Sequence, residues 1–208
     1  MALIKLNNQG VKNATAFGSA VTSLGSMVFI KKLTASGSGT LSFVDGASSV
    51  VLDNTYKEYL FTFNNMHPAT NNVDFMFNLS VDSGSNYNVT KTSTAFRAHH
   101  NESGGTGFLR YETTADLAQS TAFQGLTRED LGNANDKSVS GFLRLFNPSS
   151  TTFVKHFMAT TQSYHEADSS DENFVAGYGN TTSAVDAVQF KMSSGNIDAG
   201  DICLYGIA

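Results

Sequence analysis

The chain has no tryptophan, one cysteine and two prolines in 208 residues. A single cysteine excludes an intramolecular disulfide and any thiolate metal cluster. Cys203 falls within the last apolar segment, where a buried, inert thiol is expected. Without tryptophan, the favoured platform for stacking a sugar is missing, and only tyrosines such as Tyr87, Tyr111, Tyr164 and Tyr178 offer a substitute. Charge is scarce as well, at 15% of residues against about a quarter in ordinary domains. The net charge is -5, and the 13 Lys and Arg are scattered singly apart from Lys31-Lys32. No basic patch answers to phosphate, so nucleic acid is not an expected partner. No apolar run reaches membrane-spanning length, so membrane insertion is not expected. The opening lacks the charged region, apolar run and cleavage site of a secretion signal, and synthesis and assembly in a cytoplasm are expected.

What is present points to β-structure. With 40% apolar residues and 16 Phe, the chain is not compositionally disordered. Abundant Thr, Ser, Val and Phe suit strands whose outward faces are hydroxylic rather than ionic. The clearest period of two places Val73, Phe75, Phe77, Leu79 and Val81 on one face and Asp74, Met76, Asn78 and Ser80 on the other. Tyr59, Phe61 and Phe63 alternate with Leu60 and Thr62 in the same way. Further strands are expected over 27–33, 40–44, 50–52, 87–99, 108–111, 139–146, 153–159, 174–178, 188–192 and 202–207, with turn residues between. Asp45-Gly46 has the chemistry of a hairpin turn before Val50–Leu52. The stretch holding Gly195, Asn196, Asp198 and Gly200 reads as the turn of a closing hairpin between the last two strands. Residues 114–137 break the pattern and are expected to be a long loop with helical turns at most.

Roughly ten strands with almost no helix imply an all-β, antiparallel β-sandwich, jelly-roll-like, as one domain over residues 27–208. Residues 1–26 form an extended N-terminal arm in this reading. They hold too little large apolar surface to fold alone, yet Leu3, Ile4 and Leu6 are poor residues to leave in water. The arm is therefore a candidate docking element, with a terminal strand of the chain's own sheet as the alternative.

The search for chemistry returns little. His99-His100 with Glu102 offers metal-ligand types, but neighbours on a strand face opposite ways. His156 and His165-Glu166 fit no zinc spacing. There is no nucleophile elbow, and Gly-rich Ser36–Gly39 lacks the lysine and helix of a phosphate loop. Asp168, Asp171 and Glu172 are the candidates for paired carboxylates, read first as a solvated acidic loop. Asp82–Asn86 and Asn196–Asp201 alternate oxygen ligands as calcium loops do, but lack the closing acid and read first as turns. No cofactor is expected. Surface recognition remains, with Asn65, His67 and Asn71 in one polar loop and His100 and Asn101 in another as the candidate residues.

Ser194-Gly195-Asn196-Ile197, followed by Gly200-Asp201-Ile202-Cys203-Leu204-Tyr205-Gly206-Ile207, resembles the ending of small virion proteins of marine tailed phages, of the cyanophage and pelagiphage kind. Met1–Asn8, Tyr56–Thr70 and Phe146–His156 resemble stretches of the same proteins. The resemblance implies a non-enzymatic structural protein on the virion exterior, either a capsid decoration or cement protein or a short tail or fibre appendage. Its partners would be other virion proteins of the capsid or tail. A carbohydrate-binding sandwich that meets a host-surface glycan is the alternative. Low charge and open strand edges imply self-association, and a homotrimer is the expected form. Deleting residues 1–10 should abolish incorporation into particles without unfolding the sandwich, measured by co-sedimentation with particles and by thermal melting. Normal incorporation of the truncated chain would rule out a docking arm.

Overall fold

The computed structural model describes residues 26–128 and 131–208, and among these the chain forms strands and no helix. Leu3, Ile4 and Leu6, like the rest of the expected arm up to residue 25, lie outside the described residues. The first strands are β1 (Met27–Ser38), β2 (Leu41–Val44), β3 (Glu58–Pro68) and β4 (Phe75–Ser80). Next come β5 (Lys91–Asn101), β6 (Gly107–Tyr111), β7 (Gln124–Gly125) and β8 (Val139–Phe146). The last are β9 (Lys155–His165), β10 (Ser169–Gly179), β11 (Ala187–Met192) and β12 (Ile197–Ile207). Eight strands make a large sheet in the order β1-β12-β3-β8-β9-β10-β5-β6, and four make a small one, β2-β11-β4-β7. Pairing is antiparallel throughout, and the two sheets pack face to face as a β-sandwich. The sheets are unequal, whereas a jelly roll folds eight strands as two Greek keys.

Phenylalanine builds the core. Phe190, on β11, meets Phe43, Phe61, Phe63, Phe75 and Phe77 at ring-centroid distances of 5.3–6.4 Å, so one side chain ties both sheets together. Phe77 adds an edge-on contact to Phe157 across the sandwich at 5.1 Å. Gly177 makes room for that second ring, since a Cβ there would lie 2.8 Å from the Phe157 ring and 2.4 Å from the Thr92 carbonyl oxygen. The expected alternation of Tyr59, Phe61 and Phe63 inward holds.

Several local expectations change. The expected C-terminal hairpin does not form: β11 lies between β2 and β4 in the small sheet, while β12 lies between β1 and β3 in the large one. Both edges of β12 are already occupied, so the turn at Gly195 carries the chain from one sheet to the other. Val73, Phe75, Phe77 and Leu79 are buried as expected, but Val81 is 38% exposed. Ser80 Oγ donates to Asp82 Oδ1 and accepts from the Gly84 amide, which turns the chain before Val81 can face inward. Asn78 and Ser80 are buried rather than outward, because loops close over that side of β4 and accept from Asn78 Nδ2 at Tyr87 O and Thr121 O. Residues 50–52 are loop, not strand, with Val50 and Leu52 buried and Leu52 N bonded to Asp45 Oδ1. Pro68 is the last residue of β3. Residues 114–137 hold the two-residue β7 and no helix among the described residues, Glu129 and Asp130 lying outside them.

Truncating Phe77 removes contacts to both sheets, so Phe77→Ala should lower the unfolding free energy by about 3–5 kcal/mol. Val81→Ala should change it by less than about 0.5 kcal/mol. Urea denaturation of both variants checks the pair, and equal effects would contradict the burial assigned to them.

Candidate functional site

Even-numbered residues of β5, β8, β9 and β10 face outward and odd-numbered ones face the small sheet or the loops beside it. The inward side beneath β5 and β10 is polar. Arg97 is buried and donates from Nη1 to Asp171 Oδ2 at 2.8 Å and from Nε to Glu112 Oε1 at 3.1 Å. His99 Nδ1 lies 2.6 Å from Asp171 Oδ1, and its ring stacks on Phe108 at 4.6 Å. Arg110 and Arg128 close the array on Glu112 at 2.8 and 3.1 Å. Every member is held by another, so the cluster is a closed ionic network. Lys91 and Lys155, one strand apart on either side of Gly179, are also fully buried. Lys91 Nζ donates to Asn78 Oδ1 and to Val89 O, neither of which is a carboxylate.

The outward side of the same strands is apolar. One cross-strand row reads Phe142, Thr160, Phe174, Phe96, Tyr111 from β8 to β6. The next row reads Arg144, Met158, Ala176, Thr94. Phe96 and Phe174 stack at 4.6 Å and 11° between planes. Met158 is 55% exposed, Tyr111 50%, Phe96 42% and Phe142 38%. A shallow groove of about 370 Å³ runs between these rings over Thr160 and Ala176. Arg144, the charge among them, pairs with Glu58 at 3.2 Å.

Towards the far end of these strands the outward side becomes polar. A cleft of about 390 Å³ is lined by His100, Asn101, Glu102, Gln162, Tyr164 and Ser170, among others. Asp136 and Ser138 form one wall and also line a second cleft with Asn65 and His67. Tyr164 donates to Glu102 Oε1 at 2.8 Å, and this bond raises its pKa to about 12. The structure thus brings Asn65, His67, His100 and Asn101 around the 134–138 segment. Asn65 and His67 lie on β3 and His100 and Asn101 on β5, rather than on loops, because each strand extends past its apolar part. His67 Nε2 is 3.1 Å from Ala134 O, and Asn101 Oδ1 accepts from Thr106 N at 2.9 Å. Asn71 joins the same end by donating to Glu166 Oε2 at 2.9 Å while accepting from Asn133 N.

Other candidates separate. His99 faces inward and His100 outward, so they share no ligand position. Asp171 and Glu172 belong to β10, not to a loop, and lie on opposite faces, with Asp168 in the turn before them. Asp82 accepts from Asn86 N and Nδ2, the bonding of a turn former. Asp201 is held by Lys32 and Thr34. Among the described residues, no group of three or more His, Cys, Asp or Glu could hold a metal ion. The Phe96–Phe174 stack and the Arg97 network escape the sequence reading. Their signal is the run Ala95-Phe-Arg-Ala-His99, apolar at both parities with one arginine to decide which parity goes inside. No family model, curated protein or solved structure matches the chain.

Burial pushes the Lys91 amine from 10.5 down to about 7. Between that pH and about 10 the unfolded lysine binds a proton that the folded one has lost, so stability rises with pH across this window. Below it both forms are protonated, and the cost of the buried charge is constant. Lys91→Met should flatten the rise between about pH 7 and 10, measured by denaturant unfolding at several pH values. An unchanged slope would show that Lys91 stays charged in the fold.

Proposed function

We propose that this chain is a non-enzymatic structural subunit on the exterior of a tailed-phage particle, as a capsid decoration protein or a short tail or fibre appendage. The apolar outer face of the large sheet supports this reading most directly. Rings and thioether that stand 38–55% exposed in contiguous rows are surface made to be covered by protein. The resemblance of the closing Ser194–Ile207 segment supplies the phage setting. A sandwich with two rigid sheets and a bonded polar interior suits a part whose task is to hold shape in an assembly. Host-cell assembly and virion location follow from the same reading.

The polar end favours a second reading, a carbohydrate-binding module. Amides, hydroxyls and carboxylates from six separated segments converge there, as sugar recognition requires. A glycan array separates the two readings: a hit that His100→Ala or Gln162→Ala removes would favour recognition. For the structural reading, labelled electron microscopy of intact virions should show the protein at regular positions on capsid or tail. Purified particles that lack it would overturn the proposal.

A further inference from the structure

We infer that the outer face of the large sheet packs on the same face of a second copy of this chain, through a two-fold axis over the gap between β9 and β10. The inference rests on the structural-subunit reading and names the occupant of its apolar face. An axis that lies between the stacked sheets, parallel to the strands, sets β9 over the partner's β10 and β8 over its β5. Within the second row, Met158 then lies over the partner's Ala176 and Arg144 over its Thr94. Within the first, Thr160 lies over the partner's Phe174. Three of the four facing pairs set a large side chain against a small one, and the fourth, Phe142 against Phe96, brings two rings together. Interdigitation of this kind is how aligned sheets fill the space of about 10 Å between them.

Charge points the same way. Arg144 already has Glu58, so the face presents no free charge in these rows and suits a partner that is equally uncharged and apolar. This surface supplies both properties itself. Area also fits. The axis leaves six strands of each subunit facing six of the other, β3, β8, β9, β10, β5 and β6. About 4.8 Å apart, and with a third outward row of His156, Tyr178 and Thr92 beside the two above, they give roughly 600 Å² per subunit, so a stacked pair buries about 1,200 Å², at the lower end of stable interfaces. A single self-complementary face closes as a two-fold pair, so the proposal replaces the expected trimer with a dimer.

Complementary mixing tests it. Sedimentation equilibrium of the full chain at micromolar concentration should give twice the 22.2 kDa chain mass. Met158→Glu alone and Ala176→Lys alone each set a charge against an apolar partner and should be folded monomers, with wild-type near-ultraviolet circular dichroism and a melting temperature lowered only by the lost association. Mixed in equal amounts, they should recover the dimer, because one facing pair becomes Glu over Lys and the other stays native. Hydrogen peroxide should oxidise Met158 in the wild-type chain several-fold more slowly than in the Ala176→Lys monomer. A monomeric or trimeric wild-type mass would overturn the inference, as would a dimer that survives both single changes. If the wild-type chain is monomeric and Met158→Glu abolishes particle binding, the face belongs to another virion protein. That result would sink the second-copy occupant and leave the structural reading standing, whereas absence from particles would sink that reading whatever the mass.

Discussion

Four strands cannot cover eight, and most features of this molecule follow from that mismatch. The small sheet packs on β3 and β9, where Phe43, Phe61, Phe63, Phe75, Phe77, Phe157 and Phe190 close an apolar core together with Leu143 and Leu145 of β8 and Ile202 and Leu204 of β12. The inward face of β5 and β10 receives the segment around 112–128 instead. A coil brings backbone groups with no ladder partners, and these must be bonded when buried. Ser93 Oγ accepts from Leu117 N, Thr161 Oγ1 donates to Leu126 O, and Gln124 Nε2 donates to Ala115 O. The polar interior is therefore the counterpart of coil cover. No buried side-chain nitrogen or oxygen among the described residues lacks a partner.

The same segment also guards an edge. β6 pairs with β5 from Phe96 to His100, and then the chain from Glu112 to Ser120 bonds along the first half of β5 at Ala95, Ser93 and Lys91. An otherwise open strand is thus sealed by coil, one of the ways sheets avoid edge-to-edge growth. That protection sits at the rim and leaves the outer face untouched, which is why association through the face and association through an edge are separate questions for this sheet.

The strands were legible because alternation is local. β8 could be read to the residue, β3 over its apolar first half from Tyr59 to Phe63, and the inward set of β4 as far as Leu79. Pairing was not legible, because it depends on which edges remain free once other strands have docked. The final turn illustrates this: Gly195 and Asn196 have hairpin chemistry, yet β12 had both edges taken. The polar end was half legible. Asn65, His67, His100 and Asn101 could be picked as polar residues near aromatic ones, but Asp136, Gln162 and Ser170 come from segments whose approach only the sheet order creates.

The hardest feature to read was the choice of inward face on β5 and β10. Hydrophobicity alone would send Phe96 and Phe174 inside and leave Arg97 and Asp171 in water, since the two parities differ little otherwise. A one-residue slip would do this to every residue of a strand at once. In the fold the odd parity wins. Arg97 meets Asp171 and Glu112 together, His99 takes the second oxygen of Asp171, and Arg110 and Arg128 complete Glu112. Flipping β5 would take Arg97 from Asp171 and Glu112 together, flipping β10 would take Asp171 from Arg97 and His99, and breaking a buried pair by removing one partner costs about 3–5 kcal/mol. Two phenylalanines regained by the core would offset much of that, at roughly 1.5–3 kcal/mol each. Hydrophobic burial therefore does not choose the face by itself, and the ionic network breaks the near tie. Its consequence is on the other side of the sheet: with Arg97 and Asp171 turned inward, Phe96 and Phe174 must stand outward and stack on each other. The buried charges and the exposed rings are two faces of one register.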